Sequence, residues 1–296
     1  MKHSVLILML AVLTACTESG LPRSGGRAYE VLITGKDAAA NEALASQLRA
    51  LMVEGLPQQE PMFEVSTFTA DGLTQSTRYA RNLIVVTTGD TARLQYERNA
   101  FAEPQMLISI TMPERARQYH VGKIAELLTR AELNNGIASL RQKHNAQAEA
   151  LVRELFGYRL WVPADLDKTK RGSDFLWLSN GAAQGMQNIC VFRYAASTLD
   201  EQQLLTKADS LLKANIPGER EGMWMQLAQS TARTADDRLL MRGLWEMQGD
   251  AMGGPYVSHS LLRGDSVTTA MAFVYAPEQK KRNLMRRLEA ALYTIK

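Results

Sequence analysis

The chain contains two cysteines in 296 residues, and the setting of the first leaves the folded part without a disulfide. Met1-Lys2-His3-Ser4 carries one lysine, Val5 to Leu13 is unbroken apolar sequence, and Thr14-Ala15 stand directly before Cys16. A charged start, a short apolar stretch and small residues at a cleavage point read as an export signal over residues 1–15. The apolar run is far short of the ~20 residues that cross a bilayer as a helix. With Cys16 committed to the export signal, only Cys190 remains, and a lone thiol has no internal partner even in an oxidising compartment. Stability must then come from a hydrophobic core. The composition permits one: 46% apolar and 22% charged residues are ordinary globular usage. Cys190 itself lies in Ile189-Cys190-Val191-Phe192, a run that reads as a buried strand with the thiol as a small hydrophobe.

A cysteine immediately after the small pair looks like a bacterial lipobox, in which the Cys16 thiol takes a diacylglycerol, the leader is removed and the new amino group is acylated. Several acyl chains hold a protein durably to a membrane where one does so only marginally. The other reading is a simple secretory signal with a coincidental cysteine. Residues 16–27, with Gly20, Pro22, Gly25 and Gly26, read as a short tether. The remaining 28–296 is near the size limit of one core, so a single domain or two tightly joined halves both fit. The formal charge of +3 falls by one with Lys2, too small a surplus to argue for a nucleic-acid partner.

Periodicity predicts an α+β fold, with mixed, mainly antiparallel sheets, helices on one face and one long central helix. Strands are expected at 28–33, 62–69, 82–87 and 105–110, with a helix at 41–53 stopped by Gly55-Leu56-Pro57. A long helix from Pro113-Glu114 is interrupted at Asn134-Asn135-Gly136. Further strands are expected at 158–162, 174–178, 187–194, 223–228, 239–247, 256–262 and 268–275. Helices are expected at 199–214 and from Ala276-Pro277-Glu278 to about Tyr293. The order repeats at an offset near 160 residues, which suggests a duplication of two βα-ββ-βα halves, 28–150 and 187–296.

Several landmarks are similar to a Bacteroidetes lipoprotein family, domain of unknown function 4837. They are Leu21-Pro22-Arg23-Ser24-Gly25-Gly26, Gly55-Leu56-Pro57-Gln58, Arg81-Asn82 and Pro104-Gln105, and above all Gly253-Gly254-Pro255-Tyr256-Val257-Ser258 and Phe273-Val274-Tyr275-Ala276-Pro277. Tyr256 stands where phenylalanine is expected. The resemblance extends over essentially the whole mature chain and implies exported lipoproteins with no assigned activity. Beyond Glu18 there is no acid-rich stretch of the kind associated with surface export in this phylum, so the expected address is the periplasmic face of the outer membrane.

Candidate chemistry is sparse. Ser258-His259-Ser260 offers a nucleophile and a base, but neighbours on a strand point to opposite faces, so a distant partner such as Glu30 or His144 would be needed. Gly253-Gly254 reads better as a tight turn or close backbone approach. His120, His144 and His259 form no metal motif, Asp165-Leu166-Asp167 lacks the rest of a calcium loop, and no metal or cofactor is expected. Gly181 to Gly185 lacks a phosphate-loop lysine. Gly35-Lys36-Asp37 ahead of a helix is a weak anion site, better read as a simple turn. Lys280, Lys281, Arg282, Arg286 and Arg287 make the last helix basic, either as a solvated face or against anionic lipid or acidic glycan. Trp161, Trp177, Trp224 and Trp245 read as sheet core, with a sugar-stacking platform as the alternative. The expected role is a membrane-anchored, non-catalytic binding or assembly module with an envelope protein or glycan partner. The alternatives are a hydrolase of an envelope polymer using Ser258 or His259, and a carrier of an apolar ligand.

Overall fold

The computed structural model describes residues 20–113, 119–235 and 237–296. Cys16 and the expected export signal lie outside them. The first strand, β1 (Glu30–Gly35), leads into α1 (Ala38–Arg49). Asp37 starts this helix, its carboxylate accepting the Ala39 and Ala40 N–H groups at 2.8 and 3.1 Å. That side chain occupies the free amides, so Gly35-Lys36-Asp37 is a capped turn and not an anion site.

With β2 (Glu64–Thr69), β3 (Asn82–Thr88), β4 (Arg93–Arg98) and β5 (Met106–Met112), β1 forms a sheet in the order β2-β1-β3-β5-β4. Its pairings are parallel except β4 against β5. α1 and α2 (Val121–Gln142) cover one face, packing Leu44, Leu48, Ile124 and Leu128 on Val31, Ile33, Ile84 and Ile108.

The remaining elements are α3 (Ala146–Phe156), β6 (Lys168–Arg171), β7 (Phe175–Ser179), β8 (Met186–Ala195) and α4 (Glu201–Asn215), then β9 (Trp224–Ala235), β10 (Arg238–Gln248), β11 (Gly253–Arg263), β12 (Ser266–Tyr275) and α5 (Arg282–Leu292). They build a wholly antiparallel sheet, β6-β7-β8-β12-β11-β10-β9. The fold is α+β and, over both sheets, mainly antiparallel. Helices cover one face of the first sheet, as expected, but both faces of the second. The central strands β8 and β12 are buried almost end to end, and strands apolar on both sides need cover on both. α3 and α5 supply one layer through Val152, Leu288 and Leu292; α4 supplies the other through Leu204 and Leu212.

The suggested duplication does not hold. In linear order β1-α1-β2-β3-β4-β5-α2 and β8-α4-β9-β10-β11-β12-α5 are the same, which is what the 160-residue spacing registers. Their strand orders are unrelated. The helix after β1 returns the chain to a parallel neighbour, whereas α4 carries it to the far edge, from which β9 to β12 meander back by hairpins to β8. The other differences are local. Residues 158–162 form no strand, although Tyr158, Leu160 and Val162 are buried. β6 has no apolar residue and β4 only Leu94 and Tyr96, and neither was expected.

The long helix is unbroken through Asn134-Asn135-Gly136 and ends at Gln142, capped by Lys143, while its expected start at Glu114 lies outside the described residues. A Cβ added at Gly136 would lie 2.9 Å from the Ala290 Cβ of α5, so the glycine serves a close helix crossing and not a break. The start of α2 packs in the first core, while Leu133, Ile137 and Leu140 pack in the second. Gly254, likewise, permits close approach within the second sheet: an added Cβ would stand 2.0 Å from the Val274 carbonyl oxygen.

Candidate functional site

Most of the basic residues in and just before α5 make contacts within the fold. The Glu60 carboxylate, from the loop before β2, accepts the main-chain N–H groups of Lys281 and Arg282. The buried Arg282 guanidinium donates to the Pro61 carbonyl at 2.7 Å, and the Lys280 ammonium reaches Glu64 at 2.8 Å. Arg287 pairs with Asp165, which holds that carboxyl below the usual carboxylate range. The Glu60, Arg282 and Lys280 contacts fasten the α1–β2 segment beside α5, and a cavity of about 410 Å³ opens between that loop, α5 and strands β9 to β11.

Strand register decides what faces the cavity. Arg242 pairs with Val257, and Leu240 with His259, which puts Arg242 and His259 on the α5 side with the core residue Val257. Arg233 and Thr231 reach the same side from β9, opposite Leu240 and Arg242. From α5, Arg286, Glu289 and Tyr293 recur at helical spacing and line the cavity. Arg242 Nη2 donates to Glu289 Oε1 at 2.6 Å and Arg286 Nη1 to Oε2 at 3.2 Å, so one buried carboxylate joins two guanidiniums. Met52, Glu54 and Met62 complete the wall on the loop side.

His259 is 2% exposed, and its ring stands nearly perpendicular to the Tyr293 ring with centroids 4.6 Å apart. Its Nδ1 is buried without a hydrogen-bond partner among the described residues. Burial lowers its pKa to about 4; Glu289 pulls the other way, and Arg238, Arg242 and Arg233 push it further down. The imidazole is therefore neutral at physiological pH.

Ser258 pairs with Met241 and Met271, which belong to the core under α4. Its side chain is on the side of the sheet opposite His259, as alternation requires. Ser260 is bonded to Thr269 at 2.8 Å. The distant partners do not arrive either: Glu30 is engaged by Arg27, and His144 lies between the Leu140 carbonyl and Glu149 with Trp161 stacked on it. His120 precedes α2, apart from both. No cluster of metal-ligating side chains occurs among the described residues.

Of the tryptophans, Trp245 is fully core and donates to the Val274 carbonyl at 3.2 Å. Trp161, Trp177 and Trp224 are half-buried in separate places, with Lys213 over the Trp224 ring, and make no common platform. Cys190 is fully buried, and burial raises its thiol pKa well above normal. No helix of the described residues is long and apolar enough to cross a membrane.

Sequence reasoning found His259 and missed Arg233, Arg242 and Glu289. The available signal was polar residues at period two on β9 and β10, facing a helix whose Arg286, Glu289 and Tyr293 share one side.

No curated protein matches the chain. Residues 24–140 match the family described as Domain of unknown function (DUF8532), so the resemblance expected over the whole mature chain divides in two. The division falls at the end of α2, and the Gly55, Arg81 and Pro104 landmarks lie on the DUF8532 side. Residues 145–294, which carry the antiparallel sheet and the histidine and arginine walls of the cavity, match Domain of unknown function (DUF4837). That match covers half of the chain, and the protein belongs to the DUF4837 family.

Proposed function

We propose that the protein is exported, lipidated on Cys16 and held at the periplasmic face of the outer membrane, where it acts as a non-catalytic binding module whose ligand occupies the cavity beside α5. The cavity carries this reading: charged and polar side chains converge on a space of ligand size. A hydrolase built on Ser258 and His259 would need the two side chains on one face, and alternation puts them on opposite faces. A carrier of an apolar ligand would need an apolar lining, and Arg233, Arg242, Arg286 and Glu289 make this one polar. The address rests on the export signal and Cys16.

The test is fractionation. Wild-type protein is expected with the outer membrane, protected from protease added to intact cells, and Cys16→Ser with the soluble fraction. A Cys16→Ser chain that still sediments with membranes would remove the lipid anchor from the proposal.

A further inference from the structure

We propose that the cavity takes a small polar molecule of about the size of one sugar unit, carrying a single acidic group, a phosphate or a carboxylate. The inference rests on the binding reading above and adds the ligand's chemistry. Three arginines, Arg233, Arg242 and Arg286, face two carboxylates, Glu54 and Glu289, which leaves a surplus of one positive charge. Glu289 meets Arg242 and Arg286 through one oxygen each, and a guanidinium has five N–H donors in all. Both arginines thus keep donors for a ligand while their positions are fixed. Arg233 is exposed and has no carboxylate partner among the described residues. Arg238, next to these on β10, donates to the Ile295 carbonyl through Nη2, while its Nη1 is buried and unpartnered.

Guanidiniums in a partly enclosed site bind carboxylate and phosphate through charge-assisted hydrogen bonds. His259 is the second, independent feature. His259 lines the cavity, its Nδ1 is buried and unpartnered among the described residues, and a neutral imidazole adds no charge to the site. The Tyr293 ring and the Thr231 hydroxyl offer a stacking face and a polar contact of the kind a sugar body uses. A volume of about 410 Å³ lies toward the small end of the roughly 300–1,000 Å³ range of ligand sites, which suits one ring with its acid and not a long chain.

The experiment is calorimetric titration of the full-length, detergent-solubilised protein with glucose 6-phosphate, glucuronate, a uronic-acid oligosaccharide and glucose. At least one acidic probe is expected to bind and glucose not to. Binding should weaken with added salt and fall roughly tenfold or more in Arg233→Ala and Arg242→Lys. Arg233→Ala removes an exposed, unpaired side chain, so its melting temperature should match wild type and its loss of affinity reads the site directly. Preference for the oligosaccharide over glucuronate would identify a polymer unit as the source, and the reverse a free sugar acid. If glucose binds as tightly as the acids, or both variants bind unchanged, the ligand class is overturned and the binding reading survives. If no probe binds, the cavity is not the ligand site and both fail.

Discussion

Glu60 accepts the Lys281 main-chain N–H at 2.7 Å, so a carboxylate from the loop before the parallel sheet's edge strand starts a helix of the antiparallel one. The neighbouring Arg282 N–H adds a second bond at 3.0 Å. Glu60→Ala should therefore cost more than the common ~1 kcal/mol of an exposed cap, about 2 kcal/mol, because both N–H groups are buried. Glu60→Gln retains one acceptor and should lose less. Urea unfolding measures both; an alanine variant as stable as wild type would show that the cap is dispensable.

Glu132 is a stronger case. Its buried carboxylate takes Arg81 at 2.7 and 2.8 Å, the Asn82 amide at 2.7 Å and the Tyr29 N–H at 3.3 Å. Glu132→Ala strands a half-buried guanidinium and a buried amide, with an expected loss of about 3–5 kcal/mol. Glu132→Gln should fall between, since its amide oxygen still accepts. A loss under about 1 kcal/mol for alanine, read from the urea midpoint, would contradict the network's role.

His259 gives stability a pH dependence of known sign. The folded imidazole titrates near pH 4 and the unfolded one near 6.5, so between these values the unfolded chain binds more protons. Stability should then fall as pH drops from about 6.5 to 4, by up to ~3 kcal/mol for this group. The charges facing it are Glu289 on α5, Arg238 and Arg242 on β10 and Arg233 on β9. Glu30, Glu64 and Asp165 have depressed pKa values, and their stabilisation is also lost in acid. His259→Gln should remove the histidine component alone. Parallel stability–pH curves for variant and wild type would refute it.

Two glycines should respond oppositely to alanine. At Gly254 the methyl group would meet the Val274 carbonyl in the middle of a sheet, and Gly254→Ala should lower stability by several kcal/mol or prevent folding. At Gly122, in the first turn of α2, an added Cβ meets nothing within 4 Å, and Gly122→Ala should be neutral or stabilise by up to ~1 kcal/mol. Thermal melts of the two variants decide the point.

The elements that sequence reading recovered are those whose side chains announce their environment. β3, β8 and β12 are apolar runs, and α1 and α4 carry one apolar stripe each. β4, Arg93–Arg98, is an edge strand with almost every side chain exposed, and only its hydrogen bonds to β5 define it. Gly136 was read locally as a helix breaker because its partner, Ala290, is 154 residues away. The false duplication has the same origin, since element order is written along the chain and strand pairing is not. The candidate site follows suit. His259 stood out beside serines, but Arg233, Arg242 and Arg286 belong to two strands and a helix, and their convergence depends on register and on the capped start of α5.

α5 supplies one wall of the cavity, the partner of the Gly136 crossing and the group that Glu60 caps. It is also the most C-terminal of the described helices, so during synthesis it is the last of them to become available. A nascent chain lacking it would hold the arginines of β9 and β10 in open water, with Glu289 absent and the loop around Glu60 unanchored. The cavity wall is thus closed only when α5 docks on strands made before it.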